Sequence, residues 1–409
     1  MVPEQLAQGV YRIHADIGDK DLFEGIWPIP HGVSLNAYVV RGSQKTVLID
    51  LVKDWDGALL ELTQQLAQLG LDFTSIDYLI LNHMEPDHTG ALAELKARNP
   101  KMEILCTKKA VPLVKAFYGL DEGVRAVSSG DTLELGNRKL VFEETPNIHW
   151  PETMMTFEPE NGILFSCDAF GSFGRYGHCF DDELTASEWS LLIPETERYY
   201  ANIVSSFSAF VIRGIEKLQT LPIHMIAPSH GIVWREHPQR IVDIYQRLAG
   251  YLKGPAESEI TLVWSSMYGN TAALVEVVEQ AAKEEGVILH VHEVPKEHVS
   301  FVLASAWRSS GLILGMPTYE YNMFPPMYDI LDMFERKHVN GRKVVRFGSY
   351  GWSGGAQKQF EAFLEKLKWN CLGVVEYQGS PKAGDREQAV QLVKRLAQAI
   401  KEPSTEETV

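Results

Sequence analysis

LILNHMEPDHTGAL, residues 79–92, is the stretch on which the reading of this chain turns. An apolar run ends at Asn82, and His83, Glu85, Asp87 and His88 follow on one short segment. Donors so spaced cannot share one face of a helix, but on an irregular loop after a strand they can converge. The plain alternative is a solvated loop in which Asp87 caps a helix starting near Thr89. Three further donors weigh against it, each at or just past the end of an apolar strand: His149 in NIHW, Asp168 in LFSCDAFG and His230 in IAPSHG. Any one of them alone would pass as an ordinary loop polar or turn former. Nitrogen and oxygen donors gathered in this way at strand ends suit a two-metal site in which one carboxylate bridges both ions.

The surroundings fit a large α/β protein. At 409 residues the chain exceeds what one core usually serves, so two domains are expected. Up to about residue 250, short β-rich runs such as NAYVV, KTVLID and GILFSCD alternate with helical patterns and polar loops. From ITLVW onward the alternation of strand, loop and helix becomes strict, which implies a parallel sheet with helices on both faces. Gly, Pro and small polar residues cluster in LKGPAESE, residues 252–259, and the expected domains are 1–254 and 255–409. Any disorder should be confined to the tail KEPSTEETV.

Charge and cysteine usage exclude several classes. A net charge of -16 argues against general affinity for nucleic acid or anionic membrane. The segment MVPEQLAQGVYRIHADIG has no signal-peptide pattern and no long apolar span follows, so a cytoplasmic protein is expected. Cys106, Cys167, Cys179 and Cys371 form no C-x-x-C pair, hence neither a disulfide framework nor a rubredoxin-type iron centre.

The H-x-E-x-D-H loop, followed by His149, Asp168 and His230, resembles the metal scaffold of the metallo-β-lactamase superfamily, whose usual hydrolase loop has histidine where this chain has Glu85. Four imidazoles and three carboxylates make a harder, more anionic set than a histidine-dominated zinc site, and suit iron that changes charge. The pattern resembles that of the flavodiiron proteins. The resemblance implies an N-terminal αββα sandwich in which His83, Glu85 and His149 hold one iron, Asp87, His88 and His230 hold the other, and Asp168 bridges them. In some members the histidine matching His88 is turned away.

A second site follows in ITLVWSSMYGNTAALVEVV, where a strand runs through SSMYGNT into a helix and so places hydroxyl and amide donors at a helix N-terminus. This is a phosphate cradle for a monophosphate ester. It is neither a Walker loop nor a G-x-G-x-x-G fingerprint. Ser265, Ser266, Met267, Tyr268, Asn270 and Thr271 are the expected contacts. Two later loops, GMPTYEYNMFPP (315–326) and GSYGWSGGAQ (348–357), lie where a flavodoxin-like domain encloses its flavin. That resemblance adds Pro317, Thr318, Tyr319 and Asn322, then Ser349, Tyr350, Gly351, Trp352 and Gly354, and makes the ligand FMN.

As the resemblance has it, FMN and a diiron centre would together reduce nitric oxide to nitrous oxide or dioxygen to water, in a head-to-tail homodimer or a dimer of dimers. The same resemblance implies a separate electron donor, rubredoxin. A docking area for it is expected at ERKHVNGRKVVR, through Arg336, Lys337, Arg342 and Lys343. His31, His178, Tyr199 and Tyr200 are candidates for shaping the pocket or supplying protons, and Trp150 for its wall. The rival readings are a zinc-dependent hydrolase with a fused flavodoxin module and a non-enzymatic electron carrier.

Overall fold

The computed structural model describes residues 1–401, so the tail expectation, apart from Lys401, lies outside the described residues. The chain divides into two units, Met1–Gln246 and Arg247–Val409, and the helix Pro238–Gly250 contains the point of division.

The first unit is built on two sheets. Strands β1 (Glu4–Ala7), β2 (Val10–Ile17), β3 (Val33–Arg41), β4 (Thr46–Ile49), β5 (Tyr78–Ile80), β6 (Glu103–Thr107) and β7 (Val124–Val127) lie side by side in chain order. The first four are antiparallel and the last four parallel, because helical connections such as Ala58–Gln68 replace the early hairpins. The second sheet holds β8 (Thr132–Glu134), β9 (Lys139–Glu144), β10 (Met154–Glu158), β11 (Ile163–Cys167) and β12 (Met225–Pro228), again in chain order. Val40, Ile49 and Leu105 of the first sheet share one core with Phe142, Phe165 and Ala227 of the second, so the sheets pack face to face. Helix Ala58–Gln68 covers β2 from outside, where the Gln65 side chain accepts the His14 N–H at 3.1 Å and donates to the His14 carbonyl at 2.6 Å. This is the expected sandwich.

The second unit is the expected parallel sheet, with β13 (Glu257–Trp264), β14 (Leu289–Glu293), β15 (Ser309–Gly315), β16 (Lys343–Tyr350) and β17 (Asn370–Gln378) in the order β14-β13-β15-β16-β17. Helices Val275–Glu284 and Ala383–Lys401 close one face through Val278, Ala282, Val393 and Leu396 against Ile260, Ile313 and Val345. Helices Val299–Arg308, Pro325–Arg336 and Ala356–Leu367 pack with one another as a second group. The strand order reverses between β13 and β15, which opens a crevice at the carboxyl ends of these strands. Among the described residues no helix is long and apolar enough to cross a membrane.

Candidate functional site

Strand ends of both sheets deliver the donors. Asp50, just after β4, accepts the Asn82 N–H at 2.8 Å, and Asn82 Oδ1 accepts the Thr156 hydroxyl of β10 at 2.8 Å, so the loop after β5 is pinned to both sheets. Pro86 then opens a single turn, Pro86–Thr89, whose end is braced by the Thr89 hydroxyl donating to the Glu85 carbonyl at 2.9 Å. Asp87 sits inside that turn and caps no helix; the next helix runs Leu92–Arg98. His149 comes from the loop between β9 and β10, Asp168 follows β11 directly, and His230 follows β12.

All seven donors converge around Asp168. Its Oδ2 lies 3.4 Å from His83 Nε2 and 3.5 Å from His149 Nε2, and both nitrogens approach Glu85 Oε2, at 3.2 and 3.0 Å. Its Oδ1 lies 3.0 Å from His88 Nε2 and 3.2 Å from His230 Nε2, which in turn face Asp87 at 3.5 and 3.3 Å. One carboxylate thus turns one oxygen to each of two trios. The donor atoms of His83, Glu85, His149 and Asp168 all lie within 4.8 Å of one another, as do those of Asp87, His88 and His230.

The electrostatics are those of a buried charge-paired cluster. Burial pulls the His149 imidazole down, but Asp168 and Glu85 outweigh it and lift it to about 10; His230 is lifted to about 9 against burial by Asp168 and Asp87. His83 and His88 are raised in the same way, by Glu152, Glu85 and Asp168 in the first case and by Asp168 and Asp87 in the second. Asp168 and Glu85 are pushed up by burial and pulled further down by the imidazoles. Both Asp87 oxygens, Asp168 Oδ2, His88 Nε2 and His230 Nε2 are buried without a well-formed hydrogen bond. Orphaned N and O donors aimed at common points, with no thiolate among them, fit two iron ions.

Of the residues expected around the cluster, Tyr199 reaches it: its buried hydroxyl donates to Asp168 Oδ1 at 3.3 Å. Trp150 stands edge-on to His83, ring centroids 5.0 Å apart, and with Glu85 and Asp87 it lines a cleft of about 930 Å³ that opens over the site. The structure does not bring the others there. Tyr200 bonds Ser208 at 2.8 Å and packs on Tyr245, since neighbours in the wide turn Tyr200–Val204 point in different directions. His178 is exposed and held by Glu188 at 2.9 Å, and His31 is also exposed. Sequence reasoning missed Glu152, which contacts His83 Nδ1 at 2.8 Å, and Ser34, whose carbonyl lies 2.9 Å from His230 Nδ1. The only signal for Glu152 was an acid within reach of His149 on the same loop.

In the second unit, the three expected loops follow β13, β15 and β16, which are neighbours in the sheet. Glycine permits their close approach: a Cβ at Gly348 would meet the Met316 carbonyl oxygen at 1.8 Å, and one at Gly355 the Tyr321 carbonyl oxygen at 2.0 Å. The first loop is shaped by its own bonds, Ser265 Oγ to the Val294 carbonyl at 2.6 Å and the Gly269 N–H to Ser266 Oγ at 3.0 Å. Thr271 and Ser349 bond each other at 3.0 Å across two loops, so their hydroxyls serve the scaffold. Tyr268 and Trp352 are 91% and 74% exposed beside these loops, and a planar aromatic ligand would give them a partner. Replacing Trp352 by Ala is expected to weaken FMN binding roughly 2–10-fold, the worth of one ring contact. The quenching of FMN fluorescence on titration into the apoprotein reads it, and an unchanged affinity would remove Trp352 from the flavin site.

The structure withdraws part of the basic docking stretch and leaves Arg336 exposed. Arg342 is buried, donating to the carbonyls of Tyr251, Asn340 and Trp307, and Lys343 donates to the Ala399 carbonyl. Arg336 pairs with Asp332 on its own helix.

Comparison with known proteins agrees with this geometry. The model of the ODP family beta lactamase matches residues 33–231 and that of flavodoxin matches 262–392. An anaerobic nitric oxide reductase flavorubredoxin from Aeromonas hydrophila is 36% identical over 382 residues, covering 90% of this chain and 74% of the relative. The chain spans about two thirds to three quarters of the length of such relatives. Among solved structures, rubredoxin oxygen:oxidoreductase from Desulfovibrio gigas superposes with a TM-score of 0.91 at 26% identity, covering 98% of both chains. A variant of the flavo di-iron protein from Thermotoga maritima gives 0.87 at 29%, covering 97% of this chain and 98% of that one.

Proposed function

The chain belongs to the flavodiiron proteins, and we propose that it is a cytoplasmic reductase that converts nitric oxide to nitrous oxide and dioxygen to water. The observation that carries this reading is Asp168, one carboxylate facing two separate trios of donors, in a chain that also has a flavodoxin unit. In this reading His83, Glu85 and His149 hold one iron, Asp87, His88 and His230 the other, and Asp168 bridges them. The segments 265–271, 317–322 and 349–354 would hold FMN. When bound, the flavin and the two irons supply up to four electrons, enough for dioxygen and more than two molecules of nitric oxide require.

The protein's own part is placement and proton control. The cleft over Glu85 and Asp87 admits a small neutral substrate, Trp150 limits its bulk, and buried Tyr199 keeps a phenolic O–H within hydrogen-bond distance of the bridging carboxylate. In the metal-free chain burial makes that phenol harder to ionise, and Asp168 adds to the effect. Electrons enter from a rubredoxin-type donor, a reading supported by the likeness to flavorubredoxin and to rubredoxin oxygen:oxidoreductase. A head-to-tail homodimer would bring the flavin of one protomer to the metal site of its partner.

A gas-electrode assay tests the reading. The iron- and FMN-loaded protein, reduced anaerobically by a saturating donor, is offered nitric oxide and dioxygen at matched concentrations. Sustained nitric oxide loss with nitrous oxide appearing is the expected result, with dioxygen also consumed and no peroxide released. Consumption of neither gas, with zinc in the purified protein, would move the chain to the hydrolase reading.

A further inference from the structure

Of the four imidazoles that surround Asp168, His83, His230 and His88 have a partner on the nitrogen turned away from it, and these three are not held alike. His83 presents Nε2 to Glu85 and Asp168 and rests Nδ1 on Glu152 Oε1 at 2.8 Å. The same oxygen accepts the Met84 N–H at 3.1 Å, which locks the carboxylate to the segment that carries His83. Glu152 is buried, and its own carbonyl accepts the Thr107 hydroxyl at 2.8 Å, so the support is itself fixed. On the other side of Asp168, His230 donates Nδ1–H to a neutral carbonyl, that of Ser34, at 2.9 Å. His88 Nδ1 faces the Cys167 sulfur at 3.9 Å.

These supports differ in strength. An anion at the far nitrogen of a histidine fixes its tautomer and drives electron density toward the nitrogen that faces the metal. A neutral carbonyl does so less, and a thiol at 3.9 Å is only a weak partner. We propose that the two metal positions are unequal by construction, the His83–Glu85–His149 position being the tighter, and that Glu152 is the positioning residue that makes it so. The proposal rests on the diiron reading above.

The test follows iron release from the reduced, loaded full-length protein into a coloured ferrous chelator without oxygen. Two phases of one ion per chain each are expected, about tenfold or more apart in rate. In Glu152→Gln the neutral amide keeps the shape and removes the anion; the slow phase should quicken about 10–100-fold, with FMN content unmoved. Equal release of both ions from the unaltered protein overturns the proposal without any variant. A slow phase untouched by Glu152→Gln overturns the role of Glu152. A protein that takes up no iron at all sinks the diiron reading and this inference with it, which separates the two failures.

Discussion

Asp168→Asn is expected to purify with its full complement of FMN but with less than half of its iron, and to reduce nitric oxide at least ~100-fold more slowly than the unaltered chain. That factor is the upper end of what indirect supports of a metal site cost, and Asp168 is more than a support. It is within 3.5 Å of all four imidazoles, and its two oxygens face the two trios separately. An amide in its place carries no charge, so both positions lose the shared anion, and the one that faces the N–H₂ group meets two donors instead of an acceptor. The flavin unit has its own core and its own loops, which is why FMN should stay. Iron per chain, FMN absorbance and nitric oxide loss on an electrode measure the three parts separately. Full iron with activity within tenfold of normal would remove Asp168 from the centre of the site. Loss of FMN along with iron would show that the substitution unfolds the chain and that metal binding has not been tested in isolation.

What the sequence disclosed and what it hid divide along physical lines. The seven donors were legible because each stands where an apolar run stops, and charged side chains at the end of a buried strand have few roles besides capping and binding. The loops expected for the flavin were read from their glycines and aromatics, and the structure gives a packing reason for Gly348 and Gly355, where a Cβ would collide with backbone. Glu152 was hidden because its work is done from the far side of His83, and nothing in HWPET separates a buried support from a solvated acid. Ser34 was beyond sequence reading altogether, since the atom it contributes is a backbone carbonyl. Tyr199 and Tyr200 are adjacent, and only the phase of the turn decides which of them meets Asp168. Arg342 looked like a solvated cation, yet the forked guanidinium satisfies three carbonyl groups at once inside the second unit.

Stripped of metal by a chelator, the protein should lose stability as the pH rises from 6.5 to 10, while the loaded protein does not. The direction follows from the imidazoles. Their folded values lie above the ordinary 6.5, at about 10 for His149 and about 9 for His230, because Asp168, Glu85 and Asp87 overcome the effect of burial. A raised folded value contributes stability that is complete below 6.5 and is lost as the pH climbs through 9 to 10. Asp168 and Glu85, held low by the same imidazoles, act in the opposite sense: their contribution is complete above the ordinary carboxylate range and is lost only in acid. Asp50, pushed up to about 6 by burial, has its loss finished by pH 7 and adds nothing in the alkaline window. The metal-free first unit should therefore be most stable between about pH 5 and 6.5 and melt on the order of 10 °C lower at pH 9.5. Metal ions need the imidazoles neutral, so over the same window metal binding strengthens as protons leave. The gap in melting temperature between loaded and metal-free protein should widen from pH 6 to pH 9.5. Thermal melts of both forms at the two pH values measure it, and a metal-free protein that melts higher at pH 9.5 than at pH 6 would mean that the buried imidazoles are neutral in the folded chain. The charge-paired cluster drawn around Asp168 would then be wrong even where its distances are right.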